Sequence, residues 1–281
     1  MKVKVLTLNL HTYQELDINK FKSPQAFLDA YRVIQEHIAK FILQNDVDFV
    51  TFQEAGQLQC ENVCEKEFGI DIKPSNYLRV LKNILSEYGA KYNYAWDFSH
   101  YGFNIWEEGL GILSKNKIVD FESRYVSKEI DPKVFRSRKI IRIRTEADGK
   151  TLDVYSVHFN WPAIGFKGEF ENVLKWIEER EIENFIVAGD FNVSSQSQEY
   201  GLIRDAMVFG KPLVDTWMSL NPSKPNEPTF SGDSSEPPSR IDYILIPQTF
   251  KPLQCEIVFK ERIGELRVSD HFGLFCELAI G

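Results

Sequence analysis

Three stretches of the chain carry apolar residues at three- and four-residue steps. After Ser23, the residues Phe27, Tyr31, Ile34, Ile38 and Phe41 fall on one helical face. Ser23 supplies a capping hydroxyl and Pro24 takes the first helical position. Asn76 to Tyr88 repeats the pattern with Leu78, Leu81, Ile84 and Leu85, and Gly89 can end that helix. Glu169 to Glu181 repeats it with Phe170, Val173, Leu174 and Ile177. Between these lie short apolar runs with strand character: VKVLTLNL, DFVTFQE, LGILS, KIIRIRT, LDVYSVHF, FIVAGDF, RIDYILIP and HFGLFCEL. Strands outnumber helices, and many runs are apolar on both faces. That predicts sheets covered on both sides, as in a layered α/β protein. No repeat, low-complexity tract or Gly/Ser linker interrupts the pattern, so residues 1–281 read as a single domain. NPSKPNEPTFSGDSSEPPSR reads as a long surface loop, of a length that is often functional, and GIDIKPSN as a shorter loop.

Polar side chains gather where the strands stop. VKVLTLNL ends near Asn9, DFVTFQE at Glu54, LDVYSVHF at His158, and FIVAGDFN at Asp190 and Asn192. RIDYILI begins with Asp242, and the last strand follows Asp270 and His271. Residues two apart on a strand point the same way, so Asp190 and Asn192 are expected to address one ligand. Singly, each residue has a plain explanation: Asp and Asn form turns, a lone His is a satisfied buried side chain, and Glu54 sits at the surface. Gathered at one rim, they make an oxygen-rich set suited to Mg²⁺. Zinc would want more His or Cys, and no His-x-x-x-His pair is present.

The 281 residues carry 33 Lys+Arg against 41 Asp+Glu, a net charge of −8. Such a chain has no general attraction to nucleic acid or anionic membrane, although a local basic groove stays open. FRSRKIIRIR is the notable basic run, and its alternation reads as a strand with a solvent-facing Arg/Lys side. No apolar run approaches the roughly 20 residues of a membrane helix. The start, MKVKVLTLNLHTYQE, lacks the apolar core of a signal peptide. With Met1 as the natural start, the expectation is a soluble cytoplasmic monomer. Cys60, Cys64, Cys255 and Cys276 read as buried or idle thiols of a reducing compartment, with a Cys60–Cys64 bridge as the lesser alternative.

The motifs LTLNL, FQE, VHF, GDFN, RIDYI and SDHFG occur in the order typical of the endonuclease/exonuclease/phosphatase superfamily, and the chain resembles that DNase I-like family from Asn9 to His271. The resemblance implies a four-layer α/β/β/α sandwich of the α/β (α+β) class, two mixed β-sheets face to face with helices outside. It also implies hydrolysis of a phosphate ester with Mg²⁺ or Mn²⁺. By resemblance, Glu54 is the main metal ligand with Asn9 beside it, and Asp270 lies near a second metal position. Asp190 orients or deprotonates the attacking water, and Asn192 grips the phosphate or that water. His158 donates to a phosphoryl oxygen. His271 is the catalytic histidine, hydrogen-bonded by Asp242. Glu107 or Glu108 supports His158. Phosphoryl transfer agrees with such a set, because it needs positioning and charge neutralisation more than covalent help.

SHYGFNIWEEGLGILSK, VDTW and VSDHFGL are similar to a bacterial branch that includes sugar-phosphate phosphatases such as maltose 6'-phosphate phosphatase, and more distantly the neutral sphingomyelinases. Tyr101, Phe103, Trp106 and Trp161 either line a sugar-binding mouth or are ordinary core. The expectation is a phosphatase of a small phosphorylated metabolite. The alternatives are a phosphodiesterase of lipid or nucleic acid and an inactive binding protein on the same fold. The complete ligand set argues against the last. A DNA enzyme would gather basic residues on its substrate loops.

Overall fold

The structure, a computed structural model, describes residues 1–147, 149–232 and 236–281. The chain opens with β1 (Lys2–Asn9), a 3-10 turn at His11–Tyr13, α1 (Pro24–Asn45) and β2 (Phe49–Leu58). A small hairpin, β3 (Glu65–Glu67) and β4 (Ile70–Ile72), precedes α2 (Tyr77–Glu87). Then come β5 (Asn93–Gly102), β6 (Trp106–Ser114), β7 (Ile118–Tyr125), β8 (Lys139–Ala147) and β9 (Lys150–His158). After α3 (Phe166–Glu179) and β10 (Phe185–Asp190) the elements shorten to α4 (Tyr200–Arg204), β11 (Met207–Val208), β12 (Lys211–Asp215) and α5 (Thr216–Leu220). The chain closes with β13 (Asp242–Pro247), β14 (Phe250–Val258) and β15 (Gly273–Ile280).

These strands form two mixed sheets, ordered β14-β15-β1-β2-β6-β5 and β11-β12-β13-β10-β9-β8-β7. The alternation on β1 shows how they stack. Val3 and Val5 join the core shared with the second sheet, whereas Leu6 and Leu8 join the core under α1 and α2. On the far side, Phe166, Phe170, Val173, Trp176 and Ile177 of α3 pack on the second sheet. The layers are therefore helix, sheet, sheet, helix, as expected. Ser23 caps α1 by accepting from Ala26 N, and Asn76 caps α2 by accepting from Leu78 N and Arg79 N. A buried polar link crosses between the sheets below the site: Thr7 Oγ1 donates to Gln53 Oε1, and Gln53 Nε2 to Ser156 Oγ.

Among the described residues the strands that escape the sequence pattern are β12, inside the second sheet, the β3–β4 hairpin, and four edge strands, β11 among them. β5, β7 and β14 all lie at sheet edges. An edge strand is half solvated and admits polar residues, which blurs its alternation. The third helix begins at Phe166 rather than Glu169. Part of the expected long loop, residues 233–235, lies outside the described residues. The GIDIKPSN segment is not wholly loop, since β4 runs through it.

Two expectations need correction. Cys255 and Cys276 face each other in the β14–β15 register with Cα atoms 4.2 Å apart and are bonded as a disulfide. Only Cys60 and Cys64 are free thiols, both exposed. The basic run does not present a simple solvent face either. Arg142 of β8 is fully buried and paired with Asp120, Glu122 and Asp153. Among the described residues no helix is long and apolar enough to cross a membrane.

Gly109 of β6 stands opposite two irregularities at once, pairing with Ala55 beside the bulge of β2 and with Phe98 beside the bulge of β5. A Cβ there would lie 2.0 Å from the Asp97 carbonyl oxygen, which is backbone and cannot yield cheaply. Gly109→Ala is expected to destabilise the fold by about 2–3 kcal/mol, read as a lower midpoint in thermal or urea unfolding.

Candidate active site

Strand register assembles the floor of the site. Asp190, the last residue of β10, pairs with His158 on β9 and with Asp242 on β13. Residues opposite one another on neighbouring strands point to the same face. His158 Nε2 lies 3.5 Å from Asp190 Oδ2. His271, just before β15, reaches in with Nδ1 2.9 Å from Asp242 Oδ2 and Nε2 3.8 Å from Asp190 Oδ2. Phe230, from the long loop, bridges to His271 and packs its ring 5.2 Å away. Thr229 Oγ1 accepts from the backbone N–H of both Ile241 and Asp242.

The first sheet supplies the opposite wall. Glu54 sits where the β2–β6 register slips, with φ of 48°. A bulge re-aims the side chain it carries, and here Glu54 turns toward the second sheet. Asn9 Nδ2 donates to Glu54 Oε1 and to Asp190 Oδ2, both at 3.0 Å. Thr12, in a left-handed run with His11 and Tyr13, donates its hydroxyl to Glu108 Oε2 at 2.8 Å. Glu108 Oε1 lies 3.1 Å from His100 Nε2. Asp270 Oδ2 lies 3.6 Å from His11 Nε2.

Six of the eight expected residues, Glu54, His158, Asp190, Asn192, Asp270 and His271, line one cleft of about 500 Å³. Asn9 and Asp242 are buried behind it and hold its carboxylate and imidazole. Asn192 arrives differently from expectation. β10 ends at Asp190, and Asn192 lies beyond it at φ of 53°. Its N–H donates to Asp190 Oδ1 and its carboxamide to Phe159 O, both at 2.8 Å. Glu107 and Glu108 do not support His158. Glu107 pairs with Lys73, and Glu108 pairs with His100. Trp106 is not at the mouth either. It is buried and stacks on Tyr13 at 4.9 Å, whereas Tyr101, Phe103 and Trp161 do line the cleft. His100 and Arg138 also line it; both lie in the segments SHYGFNIWEEGLGILSK and FRSRKIIRIR, which gave neither of them a site role. A larger groove of about 630 Å³ beside α3 contains none of the eight residues, and its charges are mixed, including Lys128, Glu129, Lys167 and Glu171.

Burial and the neighbouring carboxylates separate the titrations of the floor. Burial, helped by Asp242 and opposed by His271, pushes the Asp190 carboxyl up to about 7. Burial alone would favour a neutral His271, but the bonded Asp242 and the nearby Asp190 and Asp270 raise the ring to about 10. His158 is held well below its usual range by burial and by the positive field of Arg138. Glu54 is raised by burial and by the charge of Glu108.

The donor set fits a hard dication. No Lys or Arg lies within ion-pair distance of Glu54, Asp190 or Asp270 among the described residues; the basic groups beside them are imidazoles, His158 and His271 at Asp190 and His11 at Asp270. Ligand atoms of Asp190, Asp242 and His271 also lie within 4.8 Å of one another. Within that group Asp242 Oδ2 meets the His271 ring, while Asp242 Oδ1 is buried with no hydrogen-bond partner among the described residues. Glu54 and Asp270, which line the same cleft, are carboxylates of the kind that Mg²⁺ or Mn²⁺ takes.

The ring of His271 in metal-free protein is expected to remain protonated past pH 8. Because its folded pKa lies above the ordinary value, its contribution to stability is full below pH ~6.5 and fades as the pH rises toward the folded pKa. NMR titration of the imidazole should show a midpoint near 10. Asp242→Asn should lower that midpoint by about 1–3 units, and an unmoved midpoint would mean that Asp242 does not set the charge.

Comparison with known proteins agrees with this architecture. The model of the Endonuclease/Exonuclease/phosphatase family matches residues 34–271. An endonuclease/exonuclease/phosphatase family protein from Leptotrichia buccalis C-1013-b is similar with a TM-score of 0.77 at 23% identity, over 99% of this chain and 100% of its own. The endonuclease/exonuclease/phosphatase from Bacteroides vulgatus gives 0.68 at 18% identity, over 100% of both chains. The human Nocturnin catalytic domain gives 0.68 at 15% identity, over 100% of this chain and 95% of its own. No curated protein matches the chain. At these identities the likeness of structure speaks for the fold, whereas the family model spans most of the sequence. The chain therefore belongs to the endonuclease/exonuclease/phosphatase family.

Proposed function

We propose that this protein is a divalent-metal-dependent phosphatase that hydrolyses a phosphomonoester on a small polar metabolite, a sugar phosphate, with Mg²⁺ or Mn²⁺. The observation that carries the reading is the cleft itself. It encloses about 500 Å³, has its acid–base groups on the floor, and Arg138 is the only Lys or Arg among its described lining residues. A groove for a polyanion would line successive phosphates with cations. Tyr101, Phe103 and Trp161 at the wall suit the apolar face of a sugar ring. The motif variants lean toward the branch that includes maltose 6'-phosphate phosphatase.

Glu54 is the main metal ligand in this reading, with Asn9 orienting it and Asp270 nearby. These residues would hold a dication, which would supply charge neutralisation for the phosphate ester. Asp190, whose carboxyl titrates close to neutrality, takes the proton of the attacking water. His271, kept protonated by Asp242, donates to a phosphoryl oxygen as negative charge develops there. His158, kept neutral, donates one hydrogen bond to the phosphoryl group, and Asn192 holds the phosphate or the water.

Two substitutions separate these roles. Asp190→Asn is expected to fold and bind metal as wild type does while turnover falls by about 10²–10⁴. Glu54→Gln is expected to lose Mg²⁺ affinity in a calorimetric titration, and equal affinity would place the metal elsewhere. Substrate class is tested by a screen over sugar phosphates, nucleotides, choline phospholipids and plasmid DNA with each metal. Phosphate release from a sugar phosphate with shallow salt dependence is expected. Cleavage of plasmid DNA without any phosphate release would promote a nuclease, and choline phosphate released from sphingomyelin would promote a lipid phosphodiesterase.

A further inference from the structure

Arg138 stands just before β8 and lines the cleft beside His100 and His158. It is only 4% exposed. A guanidinium removed from water needs a counter-charge or a full set of acceptors. Four Lys and Arg residues are buried to this degree among the described residues: Lys73, Arg138, Arg142 and Arg240. Lys73 pairs with Glu107, Arg142 with Asp120, Glu122 and Asp153, and Arg240 with Asp215. Arg138 alone of the four has no carboxylate at ion-pair distance.

What does hold Arg138 holds it from behind. Its Nε donates to Asn160 Oδ1 at 3.2 Å. Asn160 is itself fixed, donating from N and Nδ2 to the Glu169 carboxylate at 2.8 and 2.6 Å. The Trp161 ring lies 5.8 Å from the guanidinium carbon and flanks it. One edge of the fork is therefore anchored, and neither terminal amino group has a protein partner among the described residues. An oriented fork with free donors in a cleft is the geometry that binds two oxygens of one phosphate.

We propose that Arg138 is the phosphoryl-oxygen anchor of this cleft, and that its fixed charge favours a dianionic monoester over a monoanionic diester. The second half rests on the phosphatase reading above. The first half needs only that the cleft binds phosphate. Lysine would supply the charge without the two-pronged geometry, which makes the pair of variants informative.

The test uses full-length wild type, Arg138→Met and Arg138→Lys. Inorganic phosphate is titrated calorimetrically at fixed Mg²⁺, and p-nitrophenyl phosphate is compared with bis(p-nitrophenyl) phosphate by kcat/KM. Arg138→Met is expected to weaken phosphate binding by about 10- to 100-fold and to lower the monoester-to-diester ratio by a similar factor. Arg138→Lys should recover part of both, and it serves in place of the Met variant if that variant melts early. Unchanged phosphate affinity in a variant that melts like wild type would overturn the anchor. An equal loss on both esters would overturn the selectivity. A wild type that cleaves only the diester, with phosphate affinity still lost in Arg138→Met, would keep the anchor and refute the monoester reading.

Discussion

A single buried carboxamide closes the rim of this sandwich. Asn9 donates both protons of Nδ2, one to Glu54 on the first sheet and one to Asp190 on the second. Two carboxylates facing each other at one cleft repel, and donors placed between them offset part of that cost. Its orientation is forced. Asn9 Oδ1 accepts from His11 N, and the reverse orientation would turn that oxygen on two anions. The same backbone N–H fixes the start of the left-handed run at His11, Thr12 and Tyr13, which carries Thr12 to Glu108.

Around that clasp, the backbone is irregular where the chemistry lies. Glu54 and Asn192 have positive φ, and His100 and Glu54 both sit at register slips of the first sheet. Non-glycine residues in that region store strain that the surrounding fold must hold in place. Here the hold is visible: Trp96 Nε1 donates to Ala55 O beside one bulge, and Asn192 is tied at both its N–H and its carboxamide. Rigid strands thus carry the ligands, and short distortions aim them.

Electrostatics gives the cleft two unlike sides. On one side Asp242 keeps His271 charged, and on the other the buried His158 stays neutral beside Arg138. His100 and Glu108 form a second imidazole–carboxylate pair on the first sheet, joined through Thr12 to the neighbourhood of Glu54. Two rings near each other with opposite protonation can meet a phosphate oxygen and a hydroxyl in the same site without both competing for one proton.

The sequence by itself determined the layers and the roster of carboxylates. Alternation on the central strands and the three-four spacing on α1, α2 and α3 are consequences of burial, and burial leaves its mark residue by residue. Asn9, Glu54, His158, Asp190, Asn192, Asp242, Asp270 and His271 stood out because strand ends rarely concentrate such groups, and because their order resembled a family. Tertiary structure decided what the pattern could not encode. β5 is buried on both faces yet carries Asp97, Ser99 and His100, and β7 and β14 mix polar with apolar residues, so their periodicity was faint. The Cys255–Cys276 bond depends on strand register, which no spacing signals. Glu108 fell to His100 rather than His158 because a bulge turned one strand. Arg138 looked like one cation of a solvent face. Only the packing shows it sunk in the cleft with no carboxylate at ion-pair distance among the described residues, since charge pairing is a property of distance in space and not of distance along the chain.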